Sequence, residues 1–481
     1  MDVVLVNPAL EMRSRRWFPL GIGYIASFLR NNGKKIEIVD IPGENLDRES
    51  FQKRIKSLKA KYYGIGGIFT AFNNVIAAVE YIHEIHPDAF IFAGNTVAYS
   101  APELLMSQCH VNAIVMGEGE VTTLELINAI NNGVDLKNVK GIMFKDGDGK
   151  MHINEEREPI ENLDALPFPA WDMLPIKKYF KKTNTRYCVI STVRGCPYNC
   201  IYCCKTFMGY KIRYRSAESI FAELLEFHRL FGMDIFYFFD DLSLINKNRI
   251  LKFCELKKGS KLNKMPWTLS ARVNSIDDEI AIALKESNCL DIAFGIESFD
   301  QNILDAINKK VKLDQITQAI DICNKHGLKY AGSSFMIGMP GETEETVKVS
   351  RDFAQNHNMR YEPHYMTPFP STKLYSDAIN KGLIKDELGY VRKLADQGNT
   401  NFLLVNMTET LSDQTLVELR EKYLFFPERS ERKKRSVKSI TEALKKVMKS
   451  GGPLGVIKKV YARVTHKKYS GSFEKLSNIW E

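Results

Sequence analysis

The 481-residue chain has few cysteines and no long hydrophobic run. No uninterrupted apolar stretch approaches the roughly 18 residues of a membrane-spanning helix, so we expect a soluble or peripheral protein. Asp2 stands where a secretory signal peptide would carry positive charge, and no such signal is predicted. Nine cysteines, an odd and sparse number, argue against a disulfide framework. We therefore expect a cytoplasmic protein, with contact to the inner face of the membrane as a further possibility.

Three of these cysteines share one short segment, CPYNCIYCC (196–204), at Cys196, Cys200 and Cys203. Their C-x3-C-x2-C spacing suits one face of an iron–sulfur cube and leaves one iron without a protein ligand. An open position on a redox metal is where a substrate or cosubstrate can bind. Zinc is the weaker alternative, because a structural zinc ion requires a fourth ligand. The adjacent Cys204 should point away from a metal that Cys203 binds. We expect a 4Fe-4S cluster.

The N-terminal part, residues 1–140, alternates apolar runs with helix-like segments. The runs over 3–8, 35–41, 62–68, 89–95 and 112–120 predict a doubly wound, flavodoxin- or Rossmann-like parallel sheet. Ligands of such sheets bind beyond the carboxyl ends of the strands. The candidate ligand-binding residues at those ends are Asn7, Phe69, Thr70, Gly94, Asn95, Gly117, Glu118, Gly119 and Glu120.

A hairpin and a proline-rich linker, predicted to be extended, occupy residues 141–182. Residues 183–400 then return to strand–helix alternation, and six apolar runs predict a partial (β/α)6 TIM-type barrel. The cysteine loop follows the first of these strands, at the face where barrel enzymes place their reactive groups. Polar or flexible residues end several other strands: Asp240, Arg272, Glu297 and Gly338.

The cysteine spacing, with Tyr202 before the third cysteine, resembles the signature of the radical S-adenosylmethionine (SAM) enzymes. The preceding domain resembles the cobalamin-binding domain of the cobalamin-dependent radical SAM family, in PLGIGYIASFLRNNG (19–33), in AGN (93–95) and in GEGE (117–120). Domains that ligate cobalt through histidine carry D-x-H-x-x-G after the second strand. Here Asp40 is followed by Ile-Pro-Gly-Glu, so the resemblance implies cobalamin without a protein histidine on cobalt, or a degenerate domain that binds nothing.

The resemblance also implies a SAM site around the open iron. Arg272 is expected near the carboxylate of SAM, and Glu297 near its amine or ribose hydroxyls, with Asp240 at the same face. Tyr202 and the GMPGET stretch (338–343), which begins at Gly338, are expected around the adenine. The alternative for Arg272 and Glu297 is a buried structural ion pair between strands.

Positive charge is concentrated at the C-terminus. Residues 426–481 hold fifteen Lys and Arg against five Glu, a net charge of +10, whereas the whole chain carries +9. We expect residues 401–481 to form a basic helical region, with apolar residues at helical spacing. Such helices bind anionic membrane surfaces or cap a barrel with a solvated face. Nucleic acid is the least favoured partner, because no RNA-binding module accompanies this tail.

Together these features predict an enzyme that cleaves SAM at the cluster to a 5′-deoxyadenosyl radical. The resemblance implies methylation of an unactivated carbon with methylcobalamin as donor, a small-molecule or lipid substrate, and a flavodoxin- or ferredoxin-type electron donor. A radical cyclase or oxidoreductase without methyl transfer is the main alternative. A methylthiotransferase would need a second three-cysteine cluster, whereas residues 1–180 contain only Cys109. A non-catalytic cobalamin sensor would not need the cysteine loop.

Overall fold

The architecture is given by a computed structural model that describes residues 1–8, 17–204, 208–240, 242–397 and 402–426. Within this part, Met1–Phe425 form one compact unit built on two large sheets, the first mixed and the second parallel. Of the basic helical region predicted for residues 401–481, residues 402–426 are described, and residues 427–481 lie outside the described residues. Among the described helices, none is both long enough and apolar enough to cross a membrane.

The first sheet has the strand order β2-β1-β3-β4-β5-β6-β7. Its strands are β1 (Val3–Asn7), β2 (Ile36–Asp40), β3 (Tyr62–Gly66), β4 (Phe90–Gly94), β5 (Ala113–Val115), β6 (Ile142–Lys145) and β7 (Met151–Ile153). The first five run parallel, and the hairpin β6–β7 adds two antiparallel strands at one edge. Val3 through Val6 are at most 2% exposed, because helices cover both faces of a parallel sheet. This is the doubly wound sheet that the sequence predicts.

Helices α1 to α7 connect and flank these strands. They are α1 (Leu20–Asn31), α2 (Ile41–Glu44), α3 (Arg48–Ser57), α4 (Phe72–Ile85), α5 (Asn95–Ser100), α6 (Pro102–Gln108) and α7 (Gly119–Asn131). Helix α5 starts directly after β4, and α7 starts four residues after β5. The turns that enter these two helices therefore meet at the carboxyl edge of the sheet, where a ligand of such a fold binds.

The linker is packed rather than extended along its whole length. It contains two short 3-10 helices, Leu163–Ala165 and Trp171–Met173, followed by α8 (Ile176–Thr183). Trp171 is 1% exposed and its ring meets Phe227 edge-on, with centroids 4.9 Å apart. Phe18 of the first domain stacks on Tyr187 of the second at 4.8 Å. The apolar side chains of the linker thus fill the space between the two sheets, a role that its prolines do not reveal.

The second sheet has the strand order β15-β14-β13-β12-β11-β8, all parallel. Its strands are β8 (Tyr187–Ile190), β11 (Ile235–Phe238), β12 (Trp267–Ala271), β13 (Cys289–Glu297), β14 (Lys329–Ile337) and β15 (His364–Tyr365). The six strands confirm the predicted partial barrel. The last strand is only two residues long, since Pro363 and Pro368 flank it and proline cannot donate a ladder hydrogen bond.

Nine helices and one small hairpin complete the described part of the second domain. The hairpin is β9 (Val193–Arg194) with β10 (Arg213–Tyr214). The helices are α9 (Ala217–Phe231), α10 (Lys247–Lys258), α11 (Asp278–Glu286), α12 (Gln301–Ala306), α13 (Leu313–Lys325), α14 (Glu344–Asn356), α15 (Lys373–Asn380), α16 (Glu387–Gln397) and α17 (Asp413–Tyr423). The domain limits predicted at residues 140, 182 and 400 stay predictions.

Candidate active site

The cysteine loop lies between the strands of the β9–β10 hairpin. Gly195 starts it with a φ of +84°, and a Cβ at this position would lie 2.2 Å from the carbonyl oxygen of Lys211. Only glycine therefore fits immediately before Cys196. Further along, the amide of Ile201 donates to the carbonyl of Ile307 at 3.1 Å, and Asn308 Nδ2 donates to the carbonyl of Asn199 at 2.6 Å. The loop is thus fixed at its start and in its middle.

Cys196 is half-buried, Cys200 is buried and Cys203 is exposed. Among the described residues, no three His, Cys, Asp or Glu side chains are grouped closely enough to hold a single metal ion. The donor set, three thiols on one anchored loop, is suited to a 4Fe-4S cube.

Arg272 follows the end of β12 and lies against the cysteine loop. Its guanidinium stacks on the ring of Tyr198, with the central carbon 3.6 Å from the ring centroid, and its Nη1 lies 4.0 Å from Cys200 Sγ. Its Nη2 donates to the carbonyls of Lys309 and Lys310. Among the residues that the structure describes, its buried Nε finds no hydrogen-bond partner. A permanent positive charge with spare hydrogen-bonding capacity therefore stands beside one thiol of the loop.

Glu297 ends β13 and has a φ of +67°, a left-handed conformation uncommon for glutamate. Its carboxylate pairs with Lys309 Nζ at 2.8 Å, and the same ammonium lies 3.3 Å from the hydroxyl of Tyr202. Burial and the neighbouring Glu297 carboxylate raise the pKa of Tyr202, which keeps its hydroxyl protonated. Glu297 and Arg272 do not pair with each other. Each reaches the 307–310 loop instead, and sequence reasoning missed Lys309.

Gly338 has a φ of +87°, and its amide donates to Glu342 Oε2 at 2.5 Å. The amide of Met339 donates to the same oxygen at 3.2 Å. Glu342 is 2% exposed, and its burial raises its pKa to about 8, although the two hydrogen bonds by themselves would lower it. This carboxyl group holds the turn of the GMPGET stretch in place. Glu342 was missed, although an acidic residue inside an apolar turn was a signal that could have found it.

Asp240 lies after the end of β11, as predicted, but its carboxylate is already engaged. It accepts hydrogen bonds from the amides of Thr192 and Val193, at 2.7 and 3.1 Å, and from the hydroxyl of Thr192. Arg249 Nη1 donates to the same threonine hydroxyl at 2.9 Å. Asp240 therefore shapes the backbone that leads into the cysteine loop, and a direct contact with SAM stays a prediction.

A cavity of about 510 Å³ lies between the carboxyl edge of the first sheet and the start of the barrel. Most of the predicted ligand-binding residues line it, namely Asn7, Gly94, Asn95, Gly117, Glu118, Gly119 and Glu120. Apolar side chains that sequence reasoning missed also line it, including Trp17, Ile68 and Phe239. A Cβ on Gly94 would come no closer than 3.8 Å to another atom, so a large ligand can approach the backbone there.

Phe69 and Thr70 are not among the residues that line this cavity. Phe69 is 4% exposed and packs against Phe72 and Phe369. Their contact with a ligand stays a prediction, whereas Gly66, Gly67 and Ile68 just before them do line the cavity. None of the described lining residues is a histidine, as expected from the tetrapeptide after Asp40.

Asp40 itself is buried and holds two parts of the chain together. Its carboxylate accepts from Asn7 Nδ2 and from the hydroxyl of Tyr179, both at 2.8 Å. Burial raises the pKa of Asp40, although these hydrogen bonds oppose the shift. The side-chain NH2 group of Asn7 is therefore engaged by Asp40. This predicted residue would contact a ligand only through its other atoms.

Comparison with known proteins agrees with this geometry. The B12 binding domain family matches residues 10–127, and the Radical SAM superfamily matches residues 190–354. An uncharacterized methyltransferase of Pyrococcus horikoshii is 33% identical over 392 residues, which are 80% of this chain and 84% of the relative. A cytidylyl-2-hydroxyethylphosphonate methyltransferase of Streptomyces wedmorensis is 27% identical and covers 88% of this chain and 89% of its own length.

An anaerobic magnesium-protoporphyrin IX monomethyl ester cyclase of Rubrivivax gelatinosus is 27% identical over 76% of this chain and 67% of its own. Among solved structures, the radical SAM methyltransferase TsrM of Kitasatospora setae, with cobalamin and a [4Fe-4S] cluster bound, has the same fold. It superposes with a TM-score of 0.68 over 79% of this chain and 78% of its own, at 17% identity. By its two matched domains and its likeness to the Pyrococcus relative over 80% of its length, the chain belongs to the cobalamin-dependent radical SAM enzymes.

Proposed function

We propose that this protein methylates an unactivated carbon of a small-molecule or lipid substrate, using SAM and cobalamin. One observation carries the proposal: the loop with Cys196, Cys200 and Cys203 opens beside a cavity lined by the glycine-rich strand ends of the first sheet. When bound, the 4Fe-4S cluster supplies the electron that cleaves SAM, and cobalamin supplies the methyl group. The protein's own residues bind and orient the cluster, SAM and cobalamin and exclude water from the site.

The three thiols would hold the cluster, with Gly195 and the 307–310 loop fixing their backbone. Arg272 lies beside Cys200, and we propose that it binds the carboxylate of a SAM molecule at the open iron. We propose that Glu297 and Tyr202, joined through Lys309, bind its amine or ribose hydroxyls and its adenine. Gly338 presents backbone near the same face, in a turn that Glu342 holds rigid.

The residues around the cavity would hold cobalamin. Gly94 and Gly117 leave room for a flat ring system to approach the backbone, and the apolar side chains of Trp17, Ile68 and Phe239 would exclude water from its face. Because no described lining residue is a histidine, we expect cobalt to carry no protein nitrogen. We further propose that an electron donor of the flavodoxin or ferredoxin type reduces the cluster and that the basic tail contacts the membrane surface.

A radical cyclase is the second candidate, because the Rubrivivax relative bears that name. The two functions differ in what becomes of SAM. Methylation consumes one SAM as methyl donor and one as radical source, so reduced, cobalamin-loaded protein should form S-adenosylhomocysteine together with 5′-deoxyadenosine. Cyclisation needs only the radical. We would measure both compounds by mass spectrometry after incubating the anaerobic holoenzyme with methyl-deuterated SAM. Formation of 5′-deoxyadenosine without labelled methyl transfer or S-adenosylhomocysteine would refute methylation and favour the cyclase.

A further inference from the structure

Four buried charged residues join the cavity to the cysteine loop. Glu118 and Glu120 stand at the start of α7, in the first domain. Arg194 ends β9 and Arg213 begins β10, in the second domain. All four side chains are at most 7% exposed. We call this group the interdomain ion cluster. Its two negative and two positive charges balance, as buried charges must if they are to remain ionised.

Arg194 is the centre of the interdomain ion cluster. Its Nη1 donates to Glu118 Oε1 at 2.9 Å, and its Nη2 donates to Glu120 Oε1 at 2.6 Å. The other oxygen of Glu118 accepts from Arg213 Nη1 at 2.8 Å and from the amide of Ile160 at 2.6 Å. One planar guanidinium thus bridges two carboxylates that are two residues apart. A lysine ammonium could not reproduce this forked geometry.

Further contacts fix the same guanidinium from the first domain. Its central carbon lies 5.3 Å from the ring centroid of Tyr24 in α1, and the hydroxyl of Tyr24 accepts from Arg215 Nη1 at 3.2 Å. Burial alone would lower the pKa of Arg194, but the carboxylates of Glu120 and Glu118 raise it overall. Two carboxylates and one aromatic ring of the first domain thus contact the guanidinium of Arg194.

The position of the interdomain ion cluster connects the two ends of the proposed site. Residues 117–120 and Arg194 all line the cavity, and Arg194 is separated from Cys196 only by Gly195. The backbone at Gly195 passes so close to Lys211 that an added Cβ would lie 2.2 Å from its carbonyl oxygen. The two charge-assisted hydrogen bonds of Arg194 therefore join the 117–120 turn to the residue that precedes this tightly packed start of the cysteine loop.

Stability alone does not explain this arrangement. Apolar residues of similar volume commonly stabilise an interface as well as a buried ion pair does, whereas directional hydrogen bonds fix one register. We propose that Arg194 is a positioning residue that holds the cobalamin-binding turn 117–120 at a set distance from the cluster. This inference rests on the proposed function, and it adds a residue that neither the cysteine spacing nor the strand-end pattern singles out.

The test uses full-length Arg194→Met and Arg194→Lys, with Lys257→Met as matched control. Lys257 is also a fully buried cation, but its ammonium donates to the carbonyls of Asn263 and Ser287, before β12 and β13, at the opposite end of the barrel. For each reconstituted protein we would measure iron content, affinity for hydroxocobalamin by absorbance titration, and the ratio of 5′-deoxyadenosine to S-adenosylhomocysteine.

We expect Arg194→Met to keep its iron but to bind hydroxocobalamin at least about tenfold more weakly, as loss of a charge-assisted contact implies. Its ratio of 5′-deoxyadenosine to S-adenosylhomocysteine should rise, because radical formation continues while the methyl donor is misplaced. Arg194→Lys should restore affinity only in part. Lys257→Met should bind like the parent even where its thermal midpoint falls, since its loss touches neither site.

If folded Arg194→Met binds hydroxocobalamin as tightly as the parent, the inference about Arg194 is wrong, whereas the proposed function is unaffected. Equal losses in Arg194→Met and Lys257→Met would also overturn the inference, because they would reflect general destabilisation. If Arg194→Met fails to fold, Glu120→Gln removes one charge of the interdomain ion cluster while keeping a hydrogen-bond acceptor. We expect this variant also to bind hydroxocobalamin more weakly than the parent, by a smaller factor than Arg194→Met. Unchanged affinity there counts against the inference. A parent that binds no hydroxocobalamin would refute the proposed function, and the inference with it.

Discussion

At the scale of single residues, Arg272 has surroundings that suit a cosubstrate site better than a structural ion pair. Within the described part of the chain, its guanidinium contacts two carbonyls, one ring and one thiol, and no carboxylate. Replacement by alanine should weaken SAM binding by about 1.5–3 kcal/mol, or roughly 10- to 150-fold. Equilibrium binding to the cluster-loaded protein measures this directly.

The control for Arg272→Ala is Arg186→Ala, which removes an exposed arginine paired with Asp234 far from the cysteine loop. That variant should bind SAM as the parent does. If folded, cluster-loaded Arg272→Ala also retains parental affinity, Arg272 does not hold the carboxylate of SAM.

Glu342 predicts a pH dependence of stability. Its pKa of about 8 in the folded protein lies above the ordinary 4.5, so between these values the folded state holds a proton that the unfolded state has released. The free energy of unfolding should therefore fall with rising pH in this window, by about 1.4 kcal/mol per pH unit from this group. Glu342→Gln mimics the protonated form and should remove that contribution. Thermal unfolding of both proteins from pH 5 to 8 tests it, and a constant difference between them would contradict the shift.

The sequence places the chemically distinctive residues well, because each stands at the carboxyl end of a strand whose apolar run is clear. The cysteine loop, Arg272 and Glu297 all lie where that pattern predicts. Their partners were not predictable. Lys309 reaches Glu297 from a loop in which Asn308 and Lys310 both adopt left-handed backbone, and no periodicity reveals such a path. Pairings between distant loops depend on tertiary structure that spacing does not encode.

At the scale of elements, the turn between β4 and α5 offers a clean test of the cavity. Gly94 has an extended backbone, with a φ of −151°, so a larger residue fits there without strain. Its side chain would enter the cavity, and Gly94→Trp should abolish cobalamin binding while leaving the iron–sulfur cluster intact. Gly117 is less suitable, because its φ of +75° would add backbone strain to any substitution.

Gly147→Trp is the matched control for Gly94→Trp, since Gly147 lies in the β6–β7 turn with no atom within 4 Å of an added Cβ. This variant should bind cobalamin like the parent. Titration with hydroxocobalamin and iron analysis report on both sites. Parental cobalamin binding by Gly94→Trp would show that the ligand does not occupy this cavity.

Other elements show where sequence patterns fail. The apolar run around His364 predicts a full strand, but the flanking prolines leave only two paired residues. The prolines of the linker predict an extended segment. Trp171 is nevertheless buried between the domains, because this position removes the large apolar surface of its indole from water. In both cases the local sequence alone predicts the wrong conformation, because tertiary contacts determine which conformation the segment adopts.

At the scale of the whole molecule, two domains of known fold are joined so that their carboxyl edges face one cavity. The order of the domains follows from the sequence, but the joint does not. It includes the ring contacts of Phe18 and Trp171 and the interdomain ion cluster, all between residues distant in sequence. This joint brings a glycine-rich ligand edge next to a three-cysteine loop, which neither domain could do alone.

The most direct test of the central claim is the yield of 5′-deoxyadenosine from SAM under anaerobic, reducing conditions. Reconstituted parent should contain about four irons per chain and form 5′-deoxyadenosine. The triple variant Cys196→Ala, Cys200→Ala, Cys203→Ala should contain no cluster and form none, while Cys204→Ala, next to the loop's last ligand, should remain active. Continued 5′-deoxyadenosine formation by the triple variant would contradict the assignment of these cysteines and, with it, the proposed radical enzyme.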